Sequence, residues 1–220
     1  MRALLVMRPD AYERFGGDTT LVVETAQALR ALGVEADVVS TLTPDARGYE
    51  VAHVFNAMRP EVCGPQVESC RAARVPVALS TVWFDLREFL GRGSYYHELA
   101  IKAKDPSTLE RRYRSMRSRS ADSFLSYRTR TRLTRDIEAQ ASVLRRAHVL
   151  LPNSSVEARD CMLKLGVREV PFEIVPVGAS LQAAEAWSAR RAGVLCVGRL
   201  EPRKNQTMTV LALRDVPVDL

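Results

Sequence analysis

The sequence predicts an α/β fold: a Rossmann-like parallel sheet of six or seven strands with helices on both faces. Three observations lead there. Apolar runs of four to seven residues, the pattern of strands buried on both faces, alternate with longer stretches whose apolar residues recur at helical spacing. Glycines punctuate the joints, with Gly33 and Gly166 just past two helical stripes and the pair Gly16-Gly17 just before the first. The strand–helix alternation is that of βαβ units, whose crossovers set the strands parallel.

Taken in order, Ala3 to Met7 is the first strand, and the loop Arg8 to Phe15 leads to Gly16-Gly17. Asp18 to Leu32 is a helix, with Leu21, Val22, Thr25, Ala28, Leu29 and Leu32 on one face and Gly33 as its C-terminal cap. The glycine pair lets backbone N–H groups approach an anion at a helix start, although Gly-x-Gly-x-x-Gly is absent and the spacing also fits a plain helix-starting turn. Val34 to Ser40 and Val51 to Asn56 are the second and third strands. Helix Glu61 to Arg74 follows, with Pro65 early enough to be tolerated, and Pro76 to Val82 is the fourth strand. Within the insertion 90–146, Gly91-Arg92-Gly93-Ser94 reads as a loop and the rest as two or three polar helices. The last of these, Phe124 to Arg146, has Leu133, Ile137, Ala141 and Leu144 on one face and arginines on the other. His148 to Leu151 is the fifth strand, and Ser154 or Ser155 caps a helix over Val156 to Leu165. Phe172 to Pro176 is the sixth strand. Domain boundaries follow: 1–180 as the first domain, 181–192 as a connector and 193–220 as the start of a second domain.

Composition bounds the partners. No run of eighteen apolar residues exists, and the N-terminal apolar run is too short for a secretory signal, so a cytoplasmic location is expected. Cys63, Cys70, Cys161 and Cys196 lack metal-ligand spacing, and Cys63 and Cys70, seven apart on one helical face, read as reduced packing residues. The net charge of +6 is concentrated: residues 100–146 hold thirteen Lys or Arg against five Asp or Glu, a local +8. Such a segment fits a solvated helix face, an anionic lipid surface at the membrane's inner side, or a polyanionic acceptor; no recognised nucleic-acid module accompanies it.

The chemistry lies near the end, at residues 193–206, Gly-Val-Leu-Cys-Val-Gly-Arg-Leu-Glu-Pro-Arg-Lys-Asn-Gln. Val194 to Val197 reads as a strand buried on both faces, Gly198 and Pro202 as a turn, and Lys204 to Arg214 as a helix with Met208, Leu211 and Ala212 on one face. Arg199 and Lys204 beside a helix start suit a phosphate or diphosphate, and a surface loop of solvated charges is the alternative.

The element "VGRLEPRKNQ" resembles the Gly-Arg-x-x-x-x-Lys-Asn motif that opens the C-terminal domain of retaining glycosyltransferases of family four, which have the GT-B fold. "LLPNSSVEARDCMLKLGV" and "EIVPVGAS" are similar to that family's strand–helix and interdomain junctions, with Val177 where Asn is usual. Gly16-Gly17 and its helix are similar to the family's opening, and "HVFNAMRP" and "VALSTVWFDL" to strand ends of a bacterial subgroup. The likeness covers the chain except the basic insertion. It implies transfer of a hexosyl group from a nucleotide-diphosphate sugar to an acceptor hydroxyl with retention at the anomeric carbon. It also implies that Arg199 and Lys204 bind the donor diphosphate, with the Gly16 and Gly17 amides contributing. No metal or other cofactor is implied, since no Asp-x-Asp element is present. Many members carry a histidine after the fourth strand, where this chain has Thr81, Val82 and Trp83. Asp85 and His97 are the polar candidates for the acceptor cleft.

Two rivals stay open: a sugar-nucleotide epimerase or phosphorylase of the same fold, and a non-catalytic basic module that holds anionic lipid or nucleic acid. The family's second domain needs more than the residues after 193, so the sequence-based expectation is a truncated, inactive chain. In that case strand Val194–Val197 lacks a mate and leaves the tail disordered or pairs two chains.

Overall fold

In a computed structural model of the chain, which describes residues 1–102, 105–178, 193–198 and 202–217, five parallel strands form one sheet. They are β1 (Arg2–Met7), β2 (Glu35–Ser40), β3 (Val51–Phe55), β4 (Val77–Ser80) and β5 (Val149–Leu151), in the spatial order β2-β1-β3-β4-β5. The described residues divide into two compact units, Met1–Phe84 with Arg132–Ala179, and Asp85–Thr131 with Ser180–Leu220. The sheet belongs to the first.

β1 explains why this unit folds as it does. Its residues alternate between two cores: Leu4 and Val6 enter one cluster, and Ala3, Leu5 and Met7 enter the other. A strand of period two can feed both faces only if both are covered. Helix α1 (Gly17–Ala31) covers one, through Val22 and Ala26. Helix α2 (Pro60–Ala72) sets Cys63, Val67 and Cys70 into the other cluster, and the C-terminal half of α5 (Tyr127–Leu144) adds Ala141, Val143 and Leu144. Full burial of a Leu or Val side chain contributes roughly 1.5–3 kcal/mol, so β1, with Leu4, Leu5 and Val6 all sealed from solvent, anchors the unit. Gln66, fully buried on α2, donates from Nε2 to the carbonyls of Met7 (2.9 Å) and Thr41 (2.8 Å), holding the ends of β1 and of the segment after β2. Burial pushes the thiols of Cys63, Cys70 and Cys161 up to about 12, 11 and 12, whereas Cys196 in the second unit is exposed.

A buried carboxylate closes the far end of the sheet. Helix α6 (Ser155–Lys164) starts at Ser154, whose hydroxyl accepts from the Glu157 N–H at 3.2 Å. Glu157 turns back under the helix: Oε1 accepts from the Trp83 N–H (2.6 Å) and the Thr81 hydroxyl, and Oε2 from the Asn153 N–H (2.8 Å). Between Thr81 and Trp83, Val82 sits at φ 43°, a conformation that strains a β-branched residue. The two flanking bonds to Glu157 hold it there. Trp83 Nε1 in turn donates to Gln140 of α5 at 2.8 Å.

The second unit contains α3 (Ser94–Lys102), α4 (Pro106–Arg117), the first turn of α5 and α7 (Gln206–Leu213). Asp105 caps α4 by accepting from the Thr108 N–H at 2.7 Å. His97 Nε2 meets Thr207 Oγ1 at 3.1 Å, joining α3 to α7.

Several expectations are corrected. The sheet has five strands among the described residues, where six or seven were expected. The predicted sixth, Phe172–Pro176, runs beside β5, with Glu173 N–H donating to Leu150 (3.0 Å) and Val175 N–H to Pro152 (2.9 Å), but it makes a single parallel bridge, because Pro152 has no N–H to continue the ladder past β5. Gly91-Arg92-Gly93-Ser94 is helical, a π turn over Phe89–Gly93 that runs into α3. A Cβ on Gly91 would stand 2.3 Å from the Ala121 carbonyl oxygen, so glycine serves a close backbone approach there and not a loop. Val194–Val197 is not a strand buried on both faces: Leu195 is 88 % and Val197 83 % exposed, and no described strand lies beside them to take up their backbone bonds. The predicted helix Lys204–Arg214 begins later, after a 3₁₀ turn at Pro202–Lys204. Val216–Leu220, whose composition reads as the start of another strand, is a bend at Val216 and Pro217 and lies outside the described residues beyond them.

Glu157→Ala should leave two buried donors and one half-buried donor unpaired and cost about 3 kcal/mol or more in urea unfolding, since each orphaned group costs ~1–3 kcal/mol. Leu163→Ala, on the exposed side of the same helix, should shift stability by no more than about 0.5 kcal/mol. Equal shifts in the two variants would mean that Glu157 does not hold this end of the sheet.

Candidate functional site

In an open parallel sheet a crevice forms at the carboxyl ends of the strands where the strand order reverses. Here that point lies between β1 and β3, because the chain steps from β1 to β2 on one side and returns to β3 on the other. A pocket occupies it. Met7, Val22, Phe55 and Val62 make its apolar wall, and Arg8, Asp18, Thr19, Asn56 and Arg59 its polar side.

The polar side is built around Arg8, the first residue after β1. Its Nε donates to Asp18 Oδ2 at 2.8 Å and its Nη1 to Asp10 Oδ1 at 2.9 Å, and its Nη2 reaches the Arg14 carbonyl. The side chain is only 10 % exposed, so the guanidinium is held by paired carboxylates and not by water. Asn56, at φ 74° just past β3, donates from Nδ2 to Asp18 Oδ2 (3.4 Å), and its Oδ1 accepts from the Met58 N–H (3.2 Å). Arg59, the residue ahead of α2, approaches Asp10 Oδ1 at 3.5 Å and remains partly open to solvent. The hydrogen bond to Asp18 raises the Arg8 pKa, and the bond from Arg8 lowers that of Asp10. At Asp18 burial works to raise the pKa, and the bond and charge of Arg8, with Asn56, outweigh it and hold the carboxyl below its ordinary range.

The residues singled out in the sequence are distributed over both units. Gly16 borders this pocket: a Cβ there would lie 3.0 Å from Asp18 Oδ1 and 3.8 Å from Arg8 Nη2. Gly17 opens α1, and neither glycine adopts a positive φ, so what the pair supplies is room at the helix start and not an unusual backbone. Asp85, in the second unit, accepts from the Arg87 N–H (2.9 Å) and from Arg87 Nη2 (2.7 Å), which fixes it in its own turn. Lys204 ends the 3₁₀ turn ahead of α7. Its Cγ would stand 3.6 Å from a Cβ on Gly198, which adopts φ 156°, so the Lys204 stem lies beside Gly198. Arg199 lies outside the described residues.

Arg8, Asp10, Asp18, Asn56 and Arg59 were missed by sequence reasoning. The available signal was positional: each stands in the first residues after β1 or β3, or at the start of the helix that follows. Among the described residues no group of three His, Cys, Asp or Glu is arranged to hold a metal ion, and no helix is long and apolar enough to cross a membrane. The chain matches no protein-family model, and a comparison with curated proteins likewise returns no match.

Arg8 sets the ionisation of Asp18. In Arg8→Ala burial is opposed by the bonds from Asn56 and the Thr19 N–H without Arg8, and the Asp18 carboxyl should titrate higher by NMR. The sign for stability follows: a carboxyl whose folded pKa is depressed stabilises above its unfolded pKa and loses that contribution as pH falls through the folded value. The acid limb of the wild-type stability curve should therefore flatten in Arg8→Ala. An unchanged Asp18 titration would remove Arg8 from that role.

Proposed function

We propose that this chain carries the acceptor-side domain and the first donor-site turn of a retaining glycosyltransferase that uses a nucleotide-diphosphate sugar. One observation carries the reading. Lys204 of the Gly-Arg-x-x-x-x-Lys-Asn element lies directly ahead of α7 with its stem beside Gly198. Lys204 thus stands at a helix start, and Arg199 follows Gly198 in the sequence.

The chemistry asks for that arrangement. As the bond from the sugar to the diphosphate breaks, negative charge grows on the leaving group. Fixed cations aimed at it stabilise the transition state more than the ground state. Arg199 offers a planar fork to two phosphate oxygens and Lys204 a compact charge to another. The pocket at the β1–β3 switch point is the reading's acceptor site. Its carboxylate, Asp18, accepts hydrogen bonds from hydroxyls, Asn56 and Arg59 donate them, and Met7 and Phe55 give a sugar or polyol ring an apolar wall.

In a version that carries a complete donor-binding domain, Arg199→Ala and Lys204→Ala should each lower kcat for transfer from a nucleotide sugar by about a hundredfold with the melting temperature unchanged. Wild-type turnover in either variant overturns the assignment. Product analysis with a radiolabelled donor tests the reaction itself: a glycoside of retained configuration is expected. An epimerised nucleotide sugar or a sugar 1-phosphate would instead favour the epimerase or phosphorylase reading.

A further inference from the structure

From the loop that walls the pocket we infer a second acceptor subsite, which rests on the sugar-transfer reading: Tyr12 and Phe15 stack on the second ring of an acceptor oligosaccharide whose terminal ring enters the pocket. They are the most exposed aromatic side chains of the first unit, at 64 % and 66 %. Each is next in sequence to a residue of the site. Ala11 lines the pocket, and Gly16 borders Asp18 and Arg8.

The loop that carries the two rings is tied down along its length. Ser40 Oγ donates to the carbonyls of Arg8 and Pro9, each at 2.9 Å, and Thr19 Oγ1 donates to that of Ala11 at 3.1 Å. Arg8 Nη1 donates to the Asp10 carbonyl at 2.9 Å, and its Nη2 to the Arg14 carbonyl. The Arg14 N–H closes the turn on the Asp10 carbonyl at 2.9 Å, and Ala11 is sealed in the core beneath α1. Tyr12 and Phe15 are thus held in water on a fixed backbone. A ring presented in that way loses little freedom when a ligand covers it.

The pocket beside the rings selects the occupant. Its charges are met within the protein: Arg8 is paired with Asp10 and Asp18, and Arg59 with Asp10 and Glu61. A polyanion therefore finds no surplus of positive charge there. What the pocket offers is an acceptor on Asp18, donors on Asn56 and Arg59, and the apolar wall of Met7 and Phe55. A neutral sugar ring matches that set, with hydroxyls at its edge and C–H groups on its faces. The same C–H faces suit the negative face of an aromatic ring, so one class of ligand fits both the pocket and the loop.

The test is saturation-transfer NMR of the intact chain with methyl glucoside and methyl galactoside, and with maltose, cellobiose and lactose. At least one disaccharide should bind about tenfold more tightly than the methyl monosaccharides, the gain expected of one or two stacked rings. Tyr12→Ala/Phe15→Ala should abolish that gain and leave monosaccharide binding and the melting temperature unchanged, since both side chains are exposed. Tyr12→Phe/Phe15→Tyr, which keeps both rings, should bind as the wild type does. Equal affinity for monosaccharides and disaccharides, a gain that survives in the double Ala variant, or a gain lost in the ring-keeping variant overturns the subsite, while monosaccharide binding leaves the acceptor reading standing. No saccharide bound by the wild type overturns both. Binding of adenosine or uridine, or self-association of the chain, that the double Ala variant abolishes with disaccharide binding unchanged assigns the rings to another occupant and overturns the subsite as well.

Discussion

The first unit depends on one constraint: β1 is buried on both faces, and each face demands its own cover. Alternate residues of a six-residue strand enter separate cores, so α1 and α2 must lie on opposite sides of the sheet. With parallel strands and right-handed crossovers, that requirement sends the chain from β1 outward to β2 in one direction and on to β3 in the other. The strand order is thus a consequence of where apolar residues sit in β1 and its neighbours.

The same constraint creates the pocket. Loops that leave β1 and β3 at their carboxyl ends must part to reach helices on opposite faces, and the gap between them receives whatever polar residues end the apolar runs. Arg8 is the first such residue and brings a charge to the rim of a sealed core. It is stable there because Asp10 and Asp18 meet it, and they in turn organise Asn56 and Arg59. At the other end of the sheet the logic repeats with the sign reversed. Glu157 is a buried anion whose oxygens are met by two backbone N–H groups and a hydroxyl.

What could be read from the sequence was set by local pattern. All five strands were foreseen to within one or two residues at each end, as were Gly33 beyond α1 and Ser154 ahead of α6, because run length, periodicity and capping are properties of neighbouring residues. What failed depends on residues far along the chain. Gly91 reads as a loop glycine until the Ala121 carbonyl is seen against it, thirty positions away. Val194–Val197 has a strand's composition, but a strand needs a neighbour, and composition does not supply one. The strand at Phe172 needed a backbone donor opposite it at position 152, where the chain has proline. The pocket was only half legible: Gly16 and Gly17 drew notice as a pair, whereas Arg8, Asn56 and Arg59 form no motif and meet only once the strand order is known.

The placement of the cysteines equips the chain with its own reporter of opening. A thiolate is the species that attacks alkylating and disulfide reagents, and for Cys63, Cys70 and Cys161 burial keeps the thiolate fraction at neutral pH to about one in ten thousand or less. Cys196 is on the surface of the other unit. A reagent added to the native chain therefore meets one sulfur at once and three only when the sheet's core comes apart, and the delay between the two kinetic phases measures how often that core opens.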